Sequence, residues 1–456
     1  MTKRLVPCVL IAAVLGGCAT APVPEEERRA FEQLGDRADQ LRDGGGLEGA
    51  DREAFFWLVN RAARRHTVGD GQKIGLDLDS ARTEWLADRV RRARAAQRWP
   101  WAPRDEDTWR RGVLMYRVAT EKITDWAAFF LKDAGVAARV DSFSAEYALH
   151  PDETLRALIH YLNGEVLGAR LRHESRKPPD LDPESCLRVG GGRATDLAVS
   201  AICLMRTFGI PAVLVRAPLL AGEPSGDAWI AVIGTPYWIR PADGSPLSDD
   251  YFSYRRKSGA LAKVYAGLER NDFADLLPYA GALSFYLRYQ FVFQPAADVT
   301  DSLPVAVPVI LKGLPEPAFL SMWAGAGWLE VVPGRRSGEA TAFGSCGADG
   351  VLYLPTSIDE TSQAVPAGDP FVLHPDGARE VLRAGSGEHF WKWEPPGDGA
   401  EPRMWSDGAF RPCAVVNRAG TPMVSGAPGA LYVVWKGGRP VGRPFTVAED
   451  GAKRGF

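Results

Sequence analysis

The chain has 456 residues, 46% hydrophobic and 24% charged, with a formal net charge of −3. That length suits two or three compact domains, and a mildly acidic balance gives no electrostatic footprint for nucleic acid. At the start, Lys3 and Arg4 precede an apolar run from Leu5 to Leu15. A basic opening, a short apolar run and small residues after it predict a secretory signal over 1–17. A membrane-spanning helix would need about 20 apolar residues.

The tetrad Leu15-Gly16-Gly17-Cys18 resembles the lipobox of bacterial lipoproteins. The resemblance implies lipidation of Cys18 and a membrane contact made through that anchor alone. Ala19, where aspartate is absent, goes in such proteins with outer-membrane sorting, so the expected location is the bacterial cell envelope. Residues 18–30, rich in alanine, proline and glutamate, read as a tether.

Residues 31–135 are predicted to be a helical N-terminal region. Phe31 and Leu34, then Phe55, Leu58 and Val59, then Trp85, Leu86 and Val90 recur at helical spacing. Arg89, Arg91, Arg92, Arg94 and Arg98 form a basic stretch, expected to be a solvated helix face rather than a phosphate or headgroup patch. A further helix is expected from Pro151-Asp152-Glu153, with Leu155, Leu158, Ile159, Leu162 and Val166 on one face. Proline and acids suit a helix start. His160 lies within it and is expected to be packed or partly exposed, without a catalytic part.

Next comes Gly190-Gly191-Gly192-Arg193-Ala194-Thr195-Asp196. An apolar helical run follows (Leu197, Ala201, Ile202, Leu204, Met205, Phe208) and stops at Gly209-Ile210-Pro211-Ala212. Runs at 213–215, 229–233 and 237–240 predict strands, the last two joined as a hairpin through Gly234-Thr235-Pro236. Beyond residue 298, short β-like runs at 305–311, 328–332, 351–354 and 431–435 alternate with glycine- and proline-rich turns. The fold class is therefore α+β. A core over 136–297 follows the helical region, then a β domain over 298–395 and a second β module over 396–456, both sandwich-like.

The glycine turn, the helix opening at 194 and the Gly-Ile-Pro-Ala exit resemble the core motif of the transglutaminase-like superfamily, a relative of the papain architecture. Val113 to Glu121 is similar to a segment upstream of that core in large bacterial members, with Met115 where they usually carry proline. The Asp298-Val299-Thr300 start and the strand at 350–355 resemble their C-terminal part. In the family, a cysteine opens the helix as nucleophile, a His-x-Trp unit supplies the base, and a third residue orients it. A thiol needs such help, because a helix N-terminus and an imidazole lower its pKa. In this chain the corresponding positions hold Ala194, Asp227 (in Asp227-Ala228-Trp229) and Asp243 after Trp238. Alanine cannot attack, and aspartate, with an ordinary pKa near 3.9, is a poor base at neutral pH.

The expected role is thus a non-catalytic binding or scaffolding module. Arg193, Asp196, Asp227, Trp229, Trp238 and Asp243 would line the old cleft and hold an envelope peptide, glycan or protein. No cofactor or metal is expected. The alternative is an amidohydrolase or acyltransferase using Cys186, in a polar loop, as a displaced nucleophile. Cys203 reads as a core residue. Asp196, Asp227 and Asp243 could also converge as an acid/base pair or hard-metal site. Cys186, Cys203, Cys346 and Cys413 allow three pairings, and the shared C-terminal location favours Cys346 with Cys413. Trp99/Trp101, Trp323/Trp328 and Trp391/Trp393 are expected to pack internally rather than bind carbohydrate.

Overall fold

A computed structural model describes residues 41, 44–63, 65–69, 72–174, 180–217, 226–241, 264–266, 297–298, 300, 305–325, 327–348, 350–361 and 363–456. The signal, the tether, Cys18 and Asp243 lie outside these residues. Among the described residues no helix is long and apolar enough to cross a membrane. The chain combines helices with antiparallel sheets, so the α+β class stands.

Among the described residues the α-helices longer than one turn are α1 (Gly49–Ala62), α2 (Thr83–Ala95), α3 (Trp126–Leu131), α4 (Ala134–Tyr147), α5 (Pro151–His160), α6 (Pro183–Val189) and α7 (Ala194–Thr207). Short turns link several of them, and a hairpin of β1 (His66–Gly69) and β2 (Gln72–Leu76) follows α1. The expected α5 is present at its start, although Leu162 and Val166 fall beyond its end in a π-helical segment and Val166 is half-buried. Pro151 sits in its first turn with Asp152 and Glu153, and Leu155, Leu158 and Ile159 are buried. His160 is exposed. After it the chain widens into a π-helical segment, Tyr161–Gly168.

A two-stranded parallel pair, β3 (Arg172–His173) with β4 (Gly191–Gly192), leads into α7. Then come β5 (Ala212–Ala217), β6 (Asp227–Val232) and β7 (Trp238–Ile239), with β8 (Tyr265–Ala266) and β9 (Ala297–Asp298) completing one antiparallel sheet. The expected hairpin is present: Ile230 pairs with Ile239 and Ala231 with Trp238, turning at Gly234 with φ 81°. α7 is the central helix. Twelve of its residues, Asp196 to Thr207, are buried.

One boundary expected from the sequence is not a structural divide. A single apolar core runs from Leu41 and Phe55 through Trp109 and Leu158 to Ile202 and Ile239, so the helices before and after residue 135 pack as one body. The basic stretch also differs from a solvated face. Arg89 is buried, with its guanidinium 4.0 Å from the Trp126 ring centre. Arg94 pairs with Asp51 at 2.7 Å and Glu106 at 3.0 Å, Arg92 with Asp125, and Arg98 with Asp141. The carboxylates neutralise most of the row.

Among the described residues from 305 onward the regular elements are all strands. One sheet runs in the order 328–333, 318–323, 351–358, 371–373, 379–381, beside a three-stranded sheet of 306–312, 340–347 and 335–337. The second module begins before residue 396, because His389–Lys392 pairs with Thr421–Gly426. Its five-stranded sheet spans residues 400 to 455. Leu352, Leu354, Val372 and Leu382 from the first module meet Trp405 and Leu431 from the second in one apolar cluster. The paired tryptophans pack as expected: Trp99 and Trp101 stack at 6.3 Å, and the Trp323–Trp328 and Trp391–Trp393 pairs meet edge to face. Cys346 and Cys413 belong to different apolar clusters and both are thiols, which corrects the expected bridge between them.

Gly112 fixes the fusion of the N-terminal helices to the core. A Cβ there would lie 2.6 Å from Pro211 Cβ and 2.9 Å from its Cα. Gly112→Ala should cost about 1–3 kcal/mol by overpacking, read as a lowered urea midpoint. Gly327→Ala, where a Cβ meets nothing within 4 Å, should change the midpoint little. Equal effects would mean the two regions do not share one core.

Candidate functional site

The start of α7 is built from glycines and carboxylates. Gly190 closes α6 at φ 84°, in the left-handed region that glycine enters without steric cost. A Cβ on Gly191 would lie 2.6 Å from the Arg172 carbonyl oxygen, and one on Gly192 2.7 Å from Asp196 Cβ. Only glycine lets the chain pass this close to β3 and to the first turn of the helix.

Asp196 sits in that first turn and is fully buried. Its carboxylate accepts the Arg193 N–H at 2.8 Å, as in one half of a capping box, and the Leu181 N–H at 2.7 Å. The Arg193 guanidinium donates to it at 3.2 Å and to Asp180 at 2.5 Å. Burial works against the Arg193 charge, but Asp180 and Asp196 outweigh it and hold the pKa above its ordinary value. Asp180 also takes the N–H and hydroxyl of Thr120, at 3.1 and 2.9 Å.

Two sequence candidates thus hold the helix entry rather than line an open cleft. Trp229 and Trp238 also depart from expectation: both are buried, with ring centres 6.5 Å apart on neighbouring strands. Asp227 begins β6 opposite Ala217, half-buried, and accepts the Ala228 N–H at 2.8 Å. Asp196 is saturated by its own donors, so it is not offered to a metal. Among the described residues no three histidine, cysteine or acidic side chains gather as a metal site.

Ala194 is the first residue of α7, partly buried and packed against the core. Helix N-terminal N–H groups would favour an anion here, but the side chain is a methyl group. Cys186 is not in a polar loop. It lies inside α6, fully buried, with its Sγ 3.6 Å from the Gly191 carbonyl oxygen. Cys203 is fully buried in α7; burial first, then Glu121, push its thiol pKa well up. Cys413 is pushed up to about 11 by burial. Cys203 and Cys413 are thus held as neutral thiols, and Cys186 is sealed from solvent.

Sequence reading missed a buried charged cluster behind this entry. Arg117 pairs with Asp77, whose other oxygen accepts the Tyr116 hydroxyl at 2.8 Å. Glu121 accepts the Val118 and Ala119 N–H groups, each at 2.7 Å. Burial raises its pKa, Arg117 and those two N–H groups oppose the rise, and Asp180 adds to it. Burial lowers Arg216 to about 10; Asp180 and Glu121 favour its charge while Arg193 opposes it. The signal that could have found this cluster is Arg117 and Glu121 in an otherwise apolar run.

No family model matches the chain, and no curated protein or solved structure does either. What the site can do therefore follows from its own side chains.

Removing Asp196 leaves Arg193 and two backbone N–H groups short of a buried acceptor. Asp196→Ala should cost about 3–5 kcal/mol in urea unfolding, against about 1 kcal/mol or less for the half-buried Asp227→Ala. Glu121 carries a pH signature. Its pKa is raised in the fold, so its contribution is complete below the unfolded value, about 4.3, and lost as pH rises through the folded value. Wild type should therefore gain stability relative to Glu121→Gln between pH 7 and pH 4. A pH-independent difference would contradict that shift.

Proposed function

We propose that this is a lipid-anchored envelope protein whose transglutaminase-like, papain-like core has lost its chemistry. Its β modules are sandwich-like, and the core acts as a binding or scaffolding unit for a peptide, glycan or partner protein. The observation that carries this reading is the first position of α7. Nucleophilic catalysis there requires a thiol, and Ala194 supplies none. The order of a buried central helix, an arginine-bearing exit and antiparallel β5, β6 and β7 supports the resemblance. Asp227 opens β6 where the family's base would stand, and a carboxylate takes a proton poorly at neutral pH.

Burial weighs against a displaced nucleophile. A thiol inside α6 has no path to a substrate, and a buried thiol resists forming the thiolate. The Cys18 anchor and the outer-membrane location belong to the same proposal and rest on the Leu-Gly-Gly-Cys tetrad.

Thiol alkylation of the mature protein at about pH 6, mapped by peptide mass spectrometry, tests the chemistry. Cys186, Cys203, Cys346 and Cys413 should all label slowly, while Ala194→Cys should introduce one fast-labelling site at the helix start. Rapid labelling of native Cys186 would restore the enzyme reading. An Ala194→Cys thiol no faster than Cys413 would remove the helix start as a binding position. Saturable binding of envelope peptides or glycan strands, lost in Asp227→Lys, would give the ligand class.

A further inference from the structure

A pocket of about 430 Å³ opens between α3, α4, the π-helical segment and α7, lined by residues from all four. That volume falls in the range of small-molecule sites, roughly 300–1,000 Å³. Its floor is Leu204, fully buried in α7. Phe129, Phe130, Val136 and Val166 form apolar walls. The rim carries Lys132, Arg170 and Asp133.

The rim charges are not equivalent. Asp133 is the N-cap of α4, and one of its carboxylate oxygens accepts the Gly135 and Val136 N–H groups, both at 3.1 Å, so it keeps its charge at the rim. Among the described residues no ion pair engages Lys132 or Arg170, whereas Arg92, Arg94 and Arg98 on α2 are each paired with carboxylates. Among the described residues the mouth of the cavity thus carries two cations against one carboxylate, a net positive rim. The wall also includes Val166 from a π-helical segment, Tyr161–Gly168. Such segments recur at functional sites, because the widened turn displaces side chains from helical register; Arg110–Leu114 is a second one, in the core.

We propose that this pocket binds a single-chain amphiphile with an anionic headgroup, its acyl chain against Leu204 and the phenylalanines and its head between Lys132 and Arg170. Apolar walls supply affinity by removing hydrocarbon from water, and the two cations select the charged end. The site is separate from the start of α7 and does not depend on the reading given to it.

Calorimetric titration of the mature protein with laurate, dodecyl phosphate and dodecanol, each below its aggregation limit, tests this. Laurate and dodecyl phosphate should bind saturably at one site, and the uncharged alcohol about tenfold more weakly. Lys132→Ala/Arg170→Ala should erase that preference and leave dodecanol binding unchanged. Val166→Trp should abolish binding of all three by filling the cavity; Val166→Phe serves if the larger side chain lowers the melting temperature. A preference for dodecyl phosphate over laurate would indicate a phosphate-headed lipid, and the reverse a fatty acid; either supports the proposal. No saturable binding, equal affinity for the alcohol, or binding indifferent to the Val166 variants would overturn it.

Discussion

Arg206 holds this core in register. It lies near the end of α7, buried, and its guanidinium donates to the carbonyls of Ala212, Met115, Arg117 and Arg111 at 2.9 to 3.3 Å. Those acceptors come from the first strand of the central sheet, from the π-helical turn Arg110–Leu114 and from the buried irregular stretch just after it. Backbone carbonyls in such a stretch have no ladder to join, and leaving them unpaired would cost as much as losing their hydrogen bonds. A planar cation with five fixed donors answers several at once. Arg89 adds donors to Val113 and Leu114 from the side of α2. Burial first, then the nearby Arg206, lowers Arg89 to about 9.

The same economy of charge explains the entry to α7. Asp180 and Asp196 bind Arg193 and the chain around it, so the helix start is stiff before any ligand arrives. Preorganisation of this kind serves a nucleophile in an enzyme, and it serves a rigid recognition surface equally well. On the proposed reading, loss of a reactive group would remove only a side chain at position 194. The glycines, the capping carboxylate and the arginine lock answer to folding, and they persist.

The helices α5 and α7 and the β6–β7 hairpin were legible because each pairs an apolar period with local punctuation: Pro151 at a start, Gly209 at an end, Gly234 at a turn. The depth of Trp229 and of Asp196 was not legible. A residue type and a spacing do not say which neighbour will cover it, and here β7 and the Asp180 segment do. The merged core was hidden for a related reason. Trp109 and Leu158 bury against the same cluster, yet they lie far apart in sequence and share no periodic pattern. The expected boundary at residue 395 cuts His389–Lys392 from its own sheet, because its partner comes some thirty residues later. Only long-range pairing shows to which sheet it belongs.

Cys186, Cys203, Cys346 and Cys413 are thiols distributed over three apolar clusters, most of them sealed from solvent. These four therefore contribute as small apolar side chains and add no cross-link that a reductant could cut. Cohesion in the described residues comes from tryptophan packing, arginine–carbonyl bonds and capped helices, all of which are indifferent to electron transfer. A scaffold assembled this way keeps its described fold independent of the thiol–disulfide balance around it.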